Sequence, residues 1–344
     1  MFSVIKDDSK KRVLIVAEAG INHNGDIKLA KKMIDVASDC GVDVVKFQTA
    51  KINEVVTRSA QMAMYQKNSL QRDVTQFEML QRFHLDLDVY RELKDYCKDK
   101  VAFASTAFDH SSLKLVASLE PHFIKVPSGE ITNLPLLREI GALKRTVLIS
   151  TGMSNLDEIS QSLKVIEGAG TSRDDMVILH CTSAYPAPPE DLNLKAILTL
   201  SEKFGCQVGY SDHSLGVLTP VIAVALGASV IEKHFTLDRN MEGPDHKASL
   251  EPDELSEMVR LIRQTEISLG SHVKFVTKSE QQNIEIARRS IVARIAIKKG
   301  EIFNEKNLIA KRPGVGLSPM SWDLIMGRRA SRDYEEDDFI DERL

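Results

Sequence analysis

The feature that most limits the fold of this chain is a series of short apolar runs separated by helix-like stretches. VLIVA (13–17), VVKF (44–47), VAFAS (101–105), HFIKV (122–126), TVLIS (146–150), MVILH (176–180), CQVGY (206–210) and SVIEK (229–233) are each of strand length. Between them LKLVASL, LPLLREI and LDEISQSLKVIE place apolar residues three and four apart, and a helix is predicted over about 27–40. Eight buried strands alternating with helices predict an α/β fold, a (β/α)8 TIM barrel, and the span to Leu269 suits its length. An open doubly wound sheet is the rival. It would bring a glycine-rich dinucleotide turn after the first strand, where this chain reads EAGINHNG.

From Gly270 the character changes. GSHVKFVTKSEQQNIEIARRS is polar and reads as a connecting segment with one helix, whereas SIVARIAIKKGEIFNEKNLIAKRPGVGLSP alternates over short lengths with Gly and Pro punctuation. The predicted division is a barrel over 1–270, a linker over 271–289 and a small strand-rich domain over 290–344. DYEEDDFIDER reads as a solvated acidic surface. Charge narrows the function: 45 basic against 49 acidic residues give a net charge of −4, which argues against a general nucleic-acid or membrane-surface binder. No apolar run reaches the length of a membrane span; Val221 to Ile231 is interrupted by Gly227 and Ser229. The polar start, MFSVIKDDSKKR, is neither a signal nor a transit peptide. Cys40, Cys97, Cys181 and Cys206 stand apart without a CxxC, so reduced thiols in the cytoplasm are expected.

In a barrel the residues that end each strand face the catalytic mouth. Those positions hold Glu18, then Lys46 and Gln48, Ser105 and Thr106, Lys125 and Ser128, Ser150 and Thr151. They continue with His180, Thr182 and Ser183, then Ser211, Asp212 and His213, and last Glu232 and His234. Helix capping accounts for Ser105, Ser150 and Thr151 taken singly. It does not account for Lys46, Lys125 and Lys233 inside apolar strands, because a buried lysine needs a partner. Three lysines at one mouth predict an anionic substrate carrying, for example, a phosphate and a carboxylate. His213 and His234 end adjacent strands near Asp212, Glu232 and Asp245, a donor set that suits Mn²⁺ or Zn²⁺ with positions left for water and a substrate oxygen. Hydrogen-bonded core histidines are the alternative, and spacing leaves both open. His23 lines the mouth or shapes the Asn24-Gly25 turn; Cys181 reads as packing. No HExxH, P-loop or GxSxG occurs.

Taken together, AEAGINHNGD (17–26), VKFQT (45–49), IKVPSGEITNLP (124–135), ISTGMS (149–154), HCTSAYPAPPED (180–191), VGYSDHSLG (208–216) and IEKHFTLDRNMEGPDHKASLEPDEL (231–255) resemble the sialic acid synthase family. KRPGVGLSP and GRRASRDYEEDD resemble its SAF (antifreeze-like) domain, so the likeness spans about residues 12–340. The resemblance implies a phosphoenolpyruvate-dependent, C–C bond-forming transferase that makes a nonulosonic acid from an N-acetylmannosamine-type sugar. It places a small mainly-β SAF domain after the barrel.

It also implies roles. His213 and His234 match the ligands of a Mn²⁺ or Mg²⁺ cofactor, and Glu18 the carboxyl acting beside it. Lys46, Thr106, Lys125, Ser128, Ser150, Ser183 and Ser211 match the phosphoenolpyruvate site; some members have asparagine in place of Ser183. Gln48, Glu130, Tyr185 and Asp245 match the sugar site. Arg312 matches an arginine that the SAF domain lends to the partner barrel of a domain-swapped homodimer. Sialic acid synthesis is the first reading. N,N'-diacetyllegionaminate synthesis from 2,4-diacetamido-2,4,6-trideoxymannose is the alternative, with pseudaminate synthesis and non-catalytic carbohydrate binding behind it.

Overall fold

A computed structural model describes residues 12–70, 72 and 74–341. Eight parallel strands close into a barrel in sequence order. They are β1 (Leu14–Gly20), β2 (Val44–Thr49), β3 (Ala102–Ala107), β4 (Ile124–Val126), β5 (Val147–Ser150), β6 (Met176–Cys181), β7 (Gln207–Asp212) and β8 (Val230–His234). Each predicted run became one strand. The helices around them are α1 (Ile27–Asp39), α2 (Ile52–Val55), α3 (Met64–Leu70), α4 (Gln76–Phe83), α5 (Val89–Cys97) and α6 (His110–Ser118). They continue with α7 (Leu134–Ala142), α8 (Leu156–Ala169), α9 (Ala196–Phe204), α10 (Leu218–Ala225) and α11 (Pro252–Leu269). Local chemistry sets their starts: Asp26, Asp109 and Asn133 each accept a first-turn N–H, and Asn155 with Glu158 forms a reciprocal capping box on α8.

Alternation along the strands separates two cores. Val16, Val44, Ala104, Phe123, Leu148, Val177, Leu179 and Val230 fill the barrel interior, while their neighbours in sequence, such as Ile15, Val45, Phe103, Ile149 and Ile231, pack outward under the helices. The interior is too tight for any side chain at Gly209, where a Cβ would lie 2.5 Å from Leu179 Cδ2 and 2.6 Å from the Val230 carbonyl oxygen. One connection breaks the pattern of short links: between β2 and β3 the chain carries α2, α3, α4 and α5, and the first three of these belong to the mouth rather than to the outer ring.

The chain divides into two compact units, the first ending at Gly270 and the second starting at Ser271. In the second, α12 (Lys278–Ala287) precedes the antiparallel pair β9 (Ser290–Ala293) and β10 (Leu308–Lys311), with a short α13 (Trp322–Ile325) beyond. Its core holds Ile291, Phe303, Leu308, Ile325, Tyr334 and Ile340. The acidic stretch is not simply a solvated surface: Tyr334 and Ile340 are buried, and Asp341 pairs with Arg332 at 3.2 Å. The four cysteines are free, and among the described residues no helix is long and apolar enough to cross a membrane.

Two fully buried histidines tie the loops around β1 and β8. His23 Nδ1 accepts the Gly25 N–H (3.2 Å), which makes it the turn residue rather than a mouth residue. The His246 ring lies 2.7 Å from Thr236 Oγ1 and 3.1 Å from Asn24 Oδ1. Burial holds His23 down at about 3 and His246 at about 4, below the ordinary 6.5. A depressed histidine is neutral in the fold but protonated in the unfolded chain below pH 6.5. Its contribution is therefore complete above pH 6.5 and is lost as pH falls toward 4, at about 1.4 kcal/mol per pH unit per proton. We expect His246→Gln, measured by denaturant unfolding, to lie furthest below the parent at pH 7.5 and to approach it by pH 4.5. A gap independent of pH would show that His246 is not held neutral.

Candidate active site

The inward positions turn from apolar to polar at the carboxyl ends of the strands. There a cavity of about 560 Å³ opens. Its floor is a balanced cluster of four charges. Lys46 Nζ lies 2.6 Å from Glu18 Oε2 and 3.7 Å from Glu232 Oε2, and Lys125 Nζ lies 3.6 Å from Glu232 Oε1. Hydroxyls complete the ammonium shells, with Lys46 donating to Thr106 Oγ1 (2.8 Å) and Lys125 to Ser150 Oγ (2.7 Å). Strand register makes these meetings: Glu18 faces Lys46 across β1–β2, Thr106 faces Lys125 across β3–β4, and Ser211 faces Glu232 across β7–β8. Ser211 Oγ donates to Glu232 Oε1 at 3.2 Å.

Electrostatics splits the two carboxyls. Burial pushes Glu18 up to about 7, with Glu232 adding to the rise and Lys46 opposing it. Burial raises Glu232 too, but Lys125 and Lys46 together outweigh that and hold it below its ordinary value. Lys46 also stays charged, because Glu18 and Glu232 overcome its burial, whereas burial dominates at Lys125 and lowers it. A carboxyl poised near neutrality beside a permanently ionised one is the pairing that proton transfer needs.

Above this floor sit the histidines, with ring centroids 5.6 Å apart. His213 Nδ1 is 2.8 Å from the Thr182 carbonyl oxygen, which can only accept, so Nδ1 carries a hydrogen; burial lowers the ring's pKa, but Cys181 beside it and this carbonyl outweigh that and raise it above its ordinary value. His234 is buried, burial first and then the neighbouring cations hold it well below 6.5, and its Nδ1 has no hydrogen-bond partner. Two imidazoles, each with a ring nitrogen clear of protein hydrogen bonds, fit a divalent cation once His213 gives up its second proton. Among the described residues no group of three or more His, Cys, Asp or Glu side chains has metal-binding geometry, so solvent or substrate oxygens would supply the remaining ligands. Asp245, raised by burial to about 6, lines the same cavity.

Gln48 donates to Glu18 Oε1 (3.1 Å), and Glu130 accepts from Asn133 Nδ2 (2.6 Å) on the turn that also carries Ser128. Tyr185 packs on His213 with centroids 4.1 Å apart. Gln48, Ser128, Glu130, Ser183 and Tyr185 line this cavity with the groups above. Arg312 belongs to the second unit, where it is exposed. Lys233 corrects an expectation. Being one residue out of phase with Glu232 and His234, it faces away from the cavity and pairs with Asp212 at 2.5 Å, both side chains fully buried. The mouth therefore holds two lysines, not three. A larger, shallower groove of about 1130 Å³ lies between the start of α8 and α9, without this charge cluster.

A family model described as the NeuB family matches residues 33–274, and one described as the SAF domain matches 288–342. The chain belongs to the NeuB family. It is 49% identical over 333 residues to the N,N'-diacetyllegionaminic acid synthase of Campylobacter jejuni, covering 96% of this chain and 100% of that protein. It is 36% identical to the human N-acetylneuraminate-9-phosphate synthase, covering 96% of this chain and 92% of that one. The crystal structure of an N-acetylneuraminic acid synthetase from Leptospira borgpetersenii superposes with a TM-score of 0.69 at 32% identity, covering 80% of this chain and 90% of that one.

Residue-by-residue reading of this NeuB-family chain missed the wall built by the β2–β3 excursion. Val55, Val56, Ala63, Tyr65 and Leu80 line the cavity from it, and Tyr65 stacks on Tyr185 with centroids 4.8 Å apart. The available signal was length: more than fifty residues separate VVKF from VAFAS, far beyond an ordinary βα connection. Gly152 was also missed. Its N–H donates to Ser128 Oγ (3.0 Å), and a Cβ there would lie 2.2 Å from Ser183 Oγ and 2.9 Å from Ser128 Oγ. Gly152→Ala must turn both hydroxyls aside while leaving the core intact. The expected result is an unchanged melting temperature and a KM for the anionic substrate raised about ten-fold, the loss of one charge-assisted contact. An unchanged KM would remove these hydroxyls from the site.

Proposed function

We propose that this protein is a nonulosonic acid synthase that joins phosphoenolpyruvate to the aldehyde of an acylated amino sugar and releases phosphate. The observation that carries the reaction class is the pair Lys46 and Lys125, buried on the cavity floor among hydroxyls and below two free-nitrogen histidines. Lys46, Lys125 and the hydroxyls of Thr106, Ser128, Ser150, Ser183 and Ser211 neutralise and orient the phosphate and carboxylate. His213 and His234 would hold a divalent cation, Mn²⁺ or Mg²⁺, whose chemistry when bound is to polarise the sugar aldehyde. Carbon 3 of phosphoenolpyruvate attacks that aldehyde, whose oxygen takes the proton of Glu18, and positive charge develops at carbon 2 beside Glu232, which the two lysines keep ionised. Water adds at carbon 2 and gives its proton to Glu18; the tetrahedral product loses phosphate with the bridging oxygen. Gln48, Glu130, Tyr185 and Asp245 position the sugar.

For the acceptor, we favour 2,4-diacetamido-2,4,6-trideoxymannose, giving N,N'-diacetyllegionaminate, over N-acetylmannosamine, which was the first expectation. The similarity to the Campylobacter jejuni synthase supports it. So does the outer wall: Val55, Val56, Leu80 and Phe108 suit a deoxy and acylated sugar end, and the only lysines lining the cavity among the described residues are the two on the floor.

Metal-stripped protein should release no phosphate until Mn²⁺ or Mg²⁺ is restored, and should then turn over the diacetamido sugar at least ten-fold faster in kcat/KM than N-acetylmannosamine, a difference worth about 1.4 kcal/mol. With ¹⁸O in the bridging position the label should leave in phosphate. Label retained in the sugar acid would overturn the mechanism, and a preference for N-acetylmannosamine the acceptor.

The reading includes a two-fold dimer in which Arg312 of one subunit completes the partner's cavity. Its exposed guanidinium makes no hydrogen bond or ion pair with any described residue, and offers fixed donors for acyl carbonyls and hydroxyls. Glu18→Ala and Arg312→Ala proteins, each nearly inactive, should recover roughly a quarter of parental activity when dissociated and mixed, because half the dimers are mixed and each holds one intact site. No recovery would mean that Arg312 serves its own subunit or none.

A further inference from the structure

Lys233 stands between Glu232 and His234 on β8 but on the opposite face of the strand. Its ammonium donates to Asp212 Oδ2 (2.5 Å) and to the carbonyl oxygen of Ser214 (2.6 Å). Asp212 Oδ1 in turn accepts the Ser214 N–H (2.8 Å) and the Tyr210 hydroxyl (3.1 Å). His213 is the residue between the two that this ammonium holds. His213 is further held by Nδ1 on the Thr182 carbonyl (2.8 Å) with Cys181 Sγ at 3.7 Å, by its carbonyl oxygen accepting the Ala187 N–H (2.9 Å), and by the Tyr185 ring packed on it.

We propose that Lys233 is a positioning residue for His213. One ammonium, covalently one residue from His234, grips the chain on both sides of His213 and so sets the separation of the two imidazoles. A buried ion pair contributes little to stability against an apolar replacement of the same volume. A conformational role is what this geometry supplies, because the two acceptors of the ammonium lie on either side of His213. The consequence for function is that the two histidines act as a preset pair rather than as two side chains gathered by their ligand. This inference rests on the reading of His213 and His234 as the holders of a divalent cation.

Lys233→Met alone leaves Asp212 buried and unpaired, and is expected to unfold. The informative variant is therefore Lys233→Met with Asp212→Asn, which buries no charge and keeps an oxygen for the Ser214 N–H. Mn²⁺ binding to the full-length protein without substrates, followed by the electron paramagnetic resonance of free Mn²⁺, gives the first readout. The tautomer of His213 in metal-free, ¹⁵N-histidine-labelled protein, read at a pH high enough for the ring to be neutral, gives the second. The folded double variant is expected to bind Mn²⁺ at least five-fold more weakly, with kcat at saturating Mn²⁺ within about three-fold of the parent, and to average between tautomers where the parent shows Nδ1–H alone. A change in Mn²⁺ affinity smaller than five-fold in the folded double variant would overturn the positioning role. Should the parent bind no Mn²⁺, the cation reading fails and the tautomer decides alone: averaging confined to the variant keeps Lys233 as the residue that orders His213, and an unchanged tautomer removes it.

Discussion

Every feature of this site depends on the two-residue alternation of a strand that is part of a closed barrel. Closure gives each strand one inward and one outward face with no edge left over, so phase alone decides which environment a side chain enters. Phe123 and Lys125 share the inward face of the chain at β4, Val230 and Glu232 that of β8, and Val16 and Glu18 that of β1. The lower members of each pair fill the barrel as a dry core. The upper ones, one pleat later, form the floor of the cavity.

That arrangement places four ionisable groups over a packed apolar plug, which shuts water out on every side but the cavity's. They are tolerated because they are mutually compensating: two ammoniums and two carboxyls within ion-pair distance, with the hydroxyls of Thr106, Ser150 and Ser211 bonded to them. The same low-polarity surroundings separate the carboxyls. Glu232 touches both lysines and stays ionised, whereas Glu18, touching one and repelled by Glu232, rises toward neutrality. A substrate bearing phosphate and carboxylate would compete with these carboxylates for the same ammoniums. Substrate binding and the protonation of Glu18 are thus physically coupled.

Much of this was legible before any coordinates. The eight runs marked the strands, and a lysine inside VVKF or HFIKV demanded a buried partner. Where the reading went astray, phase was the reason. Lys233 in SVIEK looks like Lys46 in VVKF, yet it is the neighbours Glu232 and His234 that point inward, and the ammonium is directed to Asp212 instead. Counting from Val230, an inward core residue, would have found this. Nothing comparable marked Tyr65 or the Val55–Val56 wall, which lie in a connection without periodic strand pattern and reach the mouth through the packing of α2 to α4.

The order of strands and helices, the small strand-rich unit that follows and the residue types available at the strand ends are all written in the chain. These are local quantities: periodicity, capping residues and turn punctuation act over a few residues and survive in one dimension. Which charges meet is set by the closed fold. The Glu18–Lys46–Glu232–Lys125 cluster draws on β1, β2, β8 and β4, and the neighbouring of β1 and β8 exists only because the sheet closes. The pKa of Glu18, the free nitrogen of His234 and the outward turn of Lys233 all follow from desolvation and register. Both are properties of the closed barrel as a whole, and no window of the chain contains them.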